Sequence, residues 1–416
     1  MNMSFKAFLP FSLAVITMLS GCSHPHRVTA EYALWGESAF LPAAKGAAPR
    51  HMQLLVPERP AEVDGCLLIV HGMNEHSGRY DEIARHFADR FIVAAVDLTA
   101  HGLSNQVLLK ANNTIKAGAL VYDTGDAYLE QAQLRDLRLM RNDLHRALHY
   151  LTDYCDTITS GAKPPLFILS HSLGSLVSAS YLLQTSTAAE ASRVQGIIFS
   201  GPAFAVTEVP GWRGWFQNPL IRFTVHTHKH FLHPHDEVLP LMLFNQLLAL
   251  VTVPLQDSLV ELVSLPGLRT LFAQTGPAWV GEHLSDSEAE LIRLSRDQYM
   301  IRRNIIRYVL GIEKEIIQFR REMARFDTPY LLIYSELDPI TPASGNIDFA
   351  AVTQDKHEDN EVMELTGKSH HEQLFSEPVL RAQILQKIDR WLQRRINATA
   401  LTKTGATLAP TAKVSD

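Results

Sequence analysis

The sequence predicts an α/β fold: a mainly parallel sheet with helices on both faces, interrupted by an inserted helical cap. Two observations carry this. Short runs that are apolar at every position, such as Phe91 to Val96 (FIVAAV) and Leu166 to Leu169, alternate with amphipathic segments, as strands buried on both faces do. From about Ala203 to Arg325 the alternation gives way to a largely helical stretch carrying Trp212, Trp215 and Trp279, and it lies between two core strands. The composition agrees: 416 residues, 46% hydrophobic and 20% charged, is ordinary for a globular chain with a sizeable core.

The ends come first. Met1 to Cys22 holds one positive charge at Lys6 and an apolar run from Ala7 to Leu19 broken by Pro10, Ser12 and Thr17. That run is too short and broken for a membrane span, so residues 1–21 read as an export signal. Leu19-Ser20-Gly21-Cys22 resembles a bacterial lipobox, which implies a lipid-modified Cys22 at the head of the mature chain. Ser23 in the next position implies an outer-membrane location facing the periplasm. The alternative is an ordinary cleaved signal with an incidental Cys. Residues 22–44 then form anchor and tether, and 397–416, rich in Thr and Ala without apolar periodicity, reads as a disordered tail.

Between the ends, residues 45–202 and 326–396 read as two parts of one core around a cap at 203–325. Cys66 to Val70, Phe91 to Val96, Leu166 to Leu169, Gly196 to Ser200, Tyr330 to Tyr334 and Glu361 to Leu365 are the strands. Tyr80 to Asp89 is a helix. Leu137, Met140, Leu144, Leu148 and Leu151 form the buried stripe of a second, and Pro378 to about Ile396 closes the chain. Cys66 opens one strand and Cys155 follows the striped helix, which puts both at one edge of the sheet. They either pair as a disulfide or remain two buried thiols.

The chemistry gathers at the strand ends. Leu166 to Leu169 runs into Ser170-His171-Ser172-Leu173-Gly174-Ser175 and then a helical segment. A strand, a tight turn of small residues and a helix is the setting of a nucleophile elbow. His71-Gly72-Met73-Asn74-Glu75-His76-Ser77-Gly78-Arg79-Tyr80 follows one strand, and Asp97-Leu98-Thr99-Ala100-His101-Gly102-Leu103-Ser104 follows another. These stretches resemble those of the capped α/β-hydrolases that include monoacylglycerol lipases and bacterial lysophospholipases, over about residues 45–395. The resemblance implies Ser172 as nucleophile, with the backbone N–H groups of Met73 and Leu173 as oxyanion hole. It implies Asp338, in Ser335-Glu336-Leu337-Asp338-Pro339, as the acid, leaving Glu336 a solvated loop carboxylate. Gly367-Lys368-Ser369-His370-His371-Glu372 offers two bases, and the downstream match favours His371 over His370. Two departures stand out: the usual first Gly of the elbow is Ser170, and the family's Arg-Gly is Thr99-Ala100. The second is expected to alter a packing contact and leave the catalytic set intact.

Such a triad performs covalent acyl transfer without cofactor or metal. A nearly all-apolar segment from Val238 to Leu255 suits an acyl tunnel, a membrane-touching lid or a packed cap core. His226, His228, His230, His233 and His235 cluster upstream. Alternation at the first three puts them on one face of an extended segment, as a solvated loop, a pH-sensitive cap or, least favoured, a metal site. With a formal charge of -6, the chain lacks the positive field that nucleic acid requires. The expected activity is hydrolysis of carboxylic esters of single-chain lipids, lysophospholipids or monoacylglycerols. Acyl transfer, amide or peptide cleavage, and an inactive membrane-tethered binding module are the alternatives.

Overall fold

The computed structural model describes residues 26–42, 48–132, 134–184, 193–234, 238–265, 268, 273–275 and 278–405. The signal at 1–21, the lipidation candidate Cys22, and His235 lie outside the described residues.

Eight strands form one sheet: β1 (Glu37–Leu41), β2 (Arg50–Leu55), β3 (Gly65–Val70), β4 (Phe91–Val96), β5 (Leu166–His171), β6 (Val194–Ser200), β7 (Tyr330–Ser335) and β8 (Glu361–Leu365). Their order is β8-β7-β6-β5-β3-β4-β2-β1, parallel from β8 through β4 and antiparallel at the β4-β2 and β2-β1 pairs. The strands read from the sequence are the parallel ones. Their apolar residues serve two cores, because successive side chains point to opposite faces. Leu68, Val70, Ile92 and Ile168 pack on one side; Leu67, Ile69, Phe91 and Phe167 pack on the other.

Helices cover both faces. The first core is closed by α3 (Arg138–Ile158), α4 (Ser172–Gln184) and α9 (Ile306–Glu322); the second by α1 (Asp81–Phe87) and α11 (Pro378–Gly405), whose Trp391 is fully buried. Beside them lie α2 (Gln106–Lys116) and α10 (Ala343–Thr353). The cap holds α5 (Gly211–Leu232), α6 (Leu239–Val263), α7 (Ala278–Glu282) and α8 (Glu288–Arg296).

Three boundaries differ from the sequence reading. Residues 26–42 are no tether: Arg27–Val28 pairs with Tyr122–Asp123, the Tyr32 hydroxyl donates to Asp97 at 3.0 Å, and Trp35 Nε1 donates to the Ser77 carbonyl at 2.8 Å. Two aromatics with polar handles fasten this segment; β1 escaped detection because only Leu41 of its five residues is buried, and its neighbour β2 because Arg50, His51 and Gln53 are polar yet buried. The cap ends before α9, whose Tyr308, Ile312, Ile316 and Phe319 belong to the main core. The closing helix continues past Ile396 to Gly405, with no helix breaker until that glycine; 406–416 lie outside the described residues.

Cys66 and Cys155 are joined as a disulfide. Cys155 sits on the last turn of α3 rather than beyond it, extending the buried stripe by one helical step from Leu151. The bond therefore ties a helix to the sheet, 89 residues apart in sequence. Replacing both cysteines by Ala is expected to lower the unfolding free energy by about 2–4 kcal/mol, read from urea unfolding under non-reducing conditions.

Candidate active site

β5 ends at His171 and α4 begins at Ser172, with no loop between them. So abrupt a turn places Ser172 at φ +49°, a left-handed conformation that costs a residue with a Cβ about 1–2 kcal/mol. The crossing needs close backbone approach. A Cβ on Gly174 would stand 2.4 Å from the His71 carbonyl oxygen, and one on Gly72 would stand 2.9 Å from the Ser172 Cβ. The loop 71–74 thus lies directly against Ser172. Met73 is in that loop, and Leu173 is in the first turn of α4, where leading N–H groups have no intrahelical acceptor. Ser170, in place of the usual Gly, is accommodated because its hydroxyl donates to the Ile198 carbonyl and accepts from Ser175, both at 3.1 Å.

Ser172, His371 and Asp338 meet although they arise from three distant segments. His371 Nε2 lies 2.8 Å from Ser172 Oγ, and Nδ1 lies 2.8 Å from Asp338 Oδ2. Asp338 is 3% exposed and accepts from Ile340 N, Thr341 N and the Thr341 hydroxyl. The base loop is held by the cap: His371 N donates to the His283 carbonyl and Glu372 N to that of Leu284, both at 2.7 Å. His370 turns away, its Nε2 2.9 Å from Ser376 Oγ. Glu336 lies exposed and accepts from Gly367 N, in the turn that follows β8.

The electrostatics divide the pair. Burial alone would lower the His371 pKa, but the Asp338 charge and hydrogen bond outweigh it and hold the imidazole above its ordinary 6.5. Burial would likewise raise the Asp338 carboxyl, and the His371 charge with the Thr341 donors keeps it below its usual range. The carboxylate is thereby ionised and able to fix the ring tautomer.

Further residues support this arrangement, and the sequence reading assigned them no role. Glu75 Oε1 accepts from Gly72 N at 2.6 Å and contacts His171 Nδ1 at 2.5 Å. Its other oxygen accepts from Arg79 at 2.8 Å, and Arg79 bonds both oxygens of Glu372, the neighbour of His371, at 3.0 and 2.8 Å. The guanidinium also stacks over Phe375, 4.5 Å from the ring centroid. All three charged groups are at most 3% exposed. Their carboxylate charges keep Arg79 protonated against burial, and Glu75 is held ionised by His171 and Arg79. His71 donates from Nδ1 to the Gly72 carbonyl and accepts at Nε2 from Leu98 N; His101 donates to the Thr99 carbonyl and accepts from Asn74 N. Burial brings His101 down to about 3, so it braces the loop as a neutral ring. The available signal was the four-residue spacing of Glu75 and Arg79 within one motif.

The departure at Thr99-Ala100 has a structural answer. Thr99 donates through N and Oγ1 to Asp143, and cations come from Arg50 on β2 and Arg146 of α3, each 2.8 Å from Asp143. Ala100 keeps a φ of +73°, the conformation a glycine would take without strain.

The histidine cluster is not an extended face. His226, His228 and His230 occupy the last turns of α5 and His233 caps its end; His226 and His230 are one turn apart with ring centroids 4.4 Å from each other, and His228 faces the opposite way, toward Asp257. Alternate residues of a helix diverge by about 200°, so the predicted common face does not exist. Among the described residues no group of three or more His, Cys, Asp or Glu side chains is gathered for a metal.

Two substitutions test this site. Arg79→Met leaves two carboxylates buried without their cation, and is expected to lower the unfolding free energy by about 3–5 kcal/mol in urea titration. Ala100→Gly relieves the left-handed Ala and is expected to raise it by about 1 kcal/mol with kcat unchanged.

Residues 61–378 match the family model described as Hydrolase_4, serine aminopeptidase, S33. No curated protein matches the sequence. Among solved structures, the fold is similar to a monoglyceride lipase from Saccharomyces cerevisiae at 14% identity and TM-score 0.59, covering 86% of this chain and 96% of that one. It is also similar to a monoacylglycerol lipase from Paleococcus ferrophilus (18%, TM-score 0.50, 83% and 99%) and a carboxyl esterase from Bacillus coagulans (16%, TM-score 0.52, 86% and 98%). With 318 consecutive residues matched and a Ser, a His and an Asp aligned at the ends of three parallel strands, the chain belongs to the Hydrolase_4 (S33) family of capped α/β-hydrolases.

Proposed function

We propose that the chain hydrolyses carboxylic esters of single-chain lipids, lysophospholipids or monoacylglycerols, through an acyl-enzyme on Ser172. The observation that carries the reading is the continuous hydrogen-bonded line from Ser172 Oγ through His371 to Asp338, set on a strained elbow. His371 Nε2 takes the Ser172 proton as Oγ bonds to the ester carbonyl carbon. The carbonyl oxygen becomes an alkoxide that the N–H groups of Met73 and Leu173 receive. The C–O bond to the alcohol then breaks and His371 returns the proton to that oxygen. Water, deprotonated by the same ring, attacks the acyl-serine and releases the fatty acid.

A peptidase acting on free amino termini needs a carboxylate to receive the ammonium. Glu75 and Glu372, the acidic groups bordering the elbow and base, are both committed to Arg79, which favours the ester. The apolar cap favours a lipid acyl group over a short one. Cys22 completes the proposal as the lipid-modified terminus of an exported protein, held at the periplasmic face of an outer membrane. A mature chain beginning at an acylated Cys22, read by mass spectrometry, is the outcome that supports it; an unmodified terminus overturns it.

Purified protein is expected to turn over lysophosphatidylcholine or monooleoylglycerol faster than a short soluble ester or an aminoacyl amide. Ser172→Ala should lower kcat by about 10⁵–10⁶-fold. Full activity in that variant removes Ser172 as nucleophile, and turnover of short esters alone removes the lipid assignment. The pH dependence follows from the base. Catalysis needs neutral His371, whose pKa is raised, so kcat/KM on a soluble ester should rise with pH through a midpoint above 6.5. Asp338→Asn removes the raising charge and leaves burial, shifting that midpoint downward and reducing kcat by about 10⁴-fold.

A further inference from the structure

The cap carries an apolar surface that the body leaves uncovered. From Val238 to Gln256 the chain has no charged residue, and α6 is long and apolar enough to cross a membrane, yet little of it is buried. Asn245, Ala249 and Val253, four residues apart, form the one buried stripe. Leu239, Leu243, Phe244, Leu247, Leu250, Val251 and Leu255 stand exposed around about half of the helix circumference, since each residue advances about 100°. Beside α6 packs α5, which opens on Trp212 and Trp215, 74% and 84% exposed.

The fastening of α6 decides how it meets lipid. Asn245 bonds His226 of α5 at 3.1 Å, Asp257 accepts from Lys314 at 2.9 Å, and Glu261 pairs with Arg135 and Arg307. A helix tied to α5 at Asn245 and to the body near its C-terminal end, at Asp257 and Glu261, is not free to thread a bilayer, but it can lie in the interfacial plane with its free half submerged. Trp212 and Trp215, with Arg213 near the Trp212 ring, supply the amphipathic aromatics that settle at headgroup depth.

The N-terminus points to the same occupant. Arg27, the first residue of a paired strand, is five residues beyond Cys22, at most about 18 Å of extended chain. Leu120 and Val121, next to its pairing partners, are exposed. A succession of contacts links this point to α6: His26 with Thr124, Asp126 with Arg303, and Arg307 with Glu261.

We infer that the α5-α6 hairpin docks on the surface of a lipid bilayer, with α6 lying flat and its Leu243-Leu247-Leu250-Val251 face among the acyl chains. α5 has three exposed cations, Arg213, Arg222 and Lys229, and Arg222 already faces Glu208; against so many exposed apolar side chains apolar burial dominates, and zwitterionic phosphatidylcholine, with no net charge, suffices as partner. The inference stands apart from the hydrolase reading, because docking requires no catalysis; its N-terminal argument rests on the proposed lipid at Cys22.

The test is quenching of tryptophan emission in the full chain reconstituted with phosphatidylcholine vesicles bearing brominated acyl chains. Emission that falls in brominated vesicles, with the loss abolished by Trp212→Phe/Trp215→Phe, supports docking. Leu247→Lys/Val251→Lys should fold with unaltered thermal unfolding, lose the quenching, and keep wild-type turnover of a soluble ester; Ser172→Ala should keep the quenching. Equal emission in brominated and plain vesicles overturns the inference. So does a dimer, by sedimentation in lipid-free buffer, that persists with vesicles and shields both tryptophans. Failure of docking leaves ester turnover intact, and failure of the hydrolase reading leaves quenching intact, so the two are separable.

Discussion

The site depends on one buried guanidinium. Arg79 binds Glu75 and Glu372, carboxylates almost three hundred positions apart, and each of these fixes a different part of the chemistry. Glu75 holds Gly72 N and His171, hence the loop that carries Met73 and the turn that carries Ser172; Glu372 adjoins His371. Buried ion pairs contribute little net stability when complete, because desolvation offsets attraction. Their effect here is geometric: three loops that pack against solvent-facing strand ends are referenced to one rigid, planar donor set.

The parallel half of the sheet was legible because its strands are buried on both faces and therefore apolar throughout. The antiparallel edge was not. β2 carries Arg50, His51 and Gln53 inside the protein, each satisfied by a partner remote in sequence, so its composition resembles that of a loop. A different cause hid the folded state of residues 26–42: only Leu41 of the five β1 residues is buried, so that strand has no apolar run. The choice of Ser172, Met73 and Leu173 rests on the family resemblance carried by three separate segments, since the Ser-x-Ser-x-Gly turn alone is a weak pattern. Between His370 and His371 the downstream match favours His371, but what separates two adjacent residues physically is which way the turn directs them, and that is tertiary: His371 reaches Ser172 and His370 reaches Ser376.

Departures from the family pattern were legible as departures, and their compensation was not. Thr99 removes an arginine from the turn after β4, and Arg50 supplies a cation to Asp143 from another strand. Ala100 retains a backbone conformation for which its side chain is unsuited. The histidine cluster illustrates the opposite error: period-two spacing suggested an extended segment, while the tertiary context made it helix.

The Cys66–Cys155 bond has a topological consequence. The loop it closes contains the oxyanion segment, Asp97 and α2, but ends before Ser172, and long before Asp338 and His371. Because a chain is made from its N-terminus, both cysteines exist before any member of the triad does. Covalent closure thus has no chemical need of the triad, and the part of the molecule that would receive the oxyanion can be linked while the part that would generate it is still unwritten.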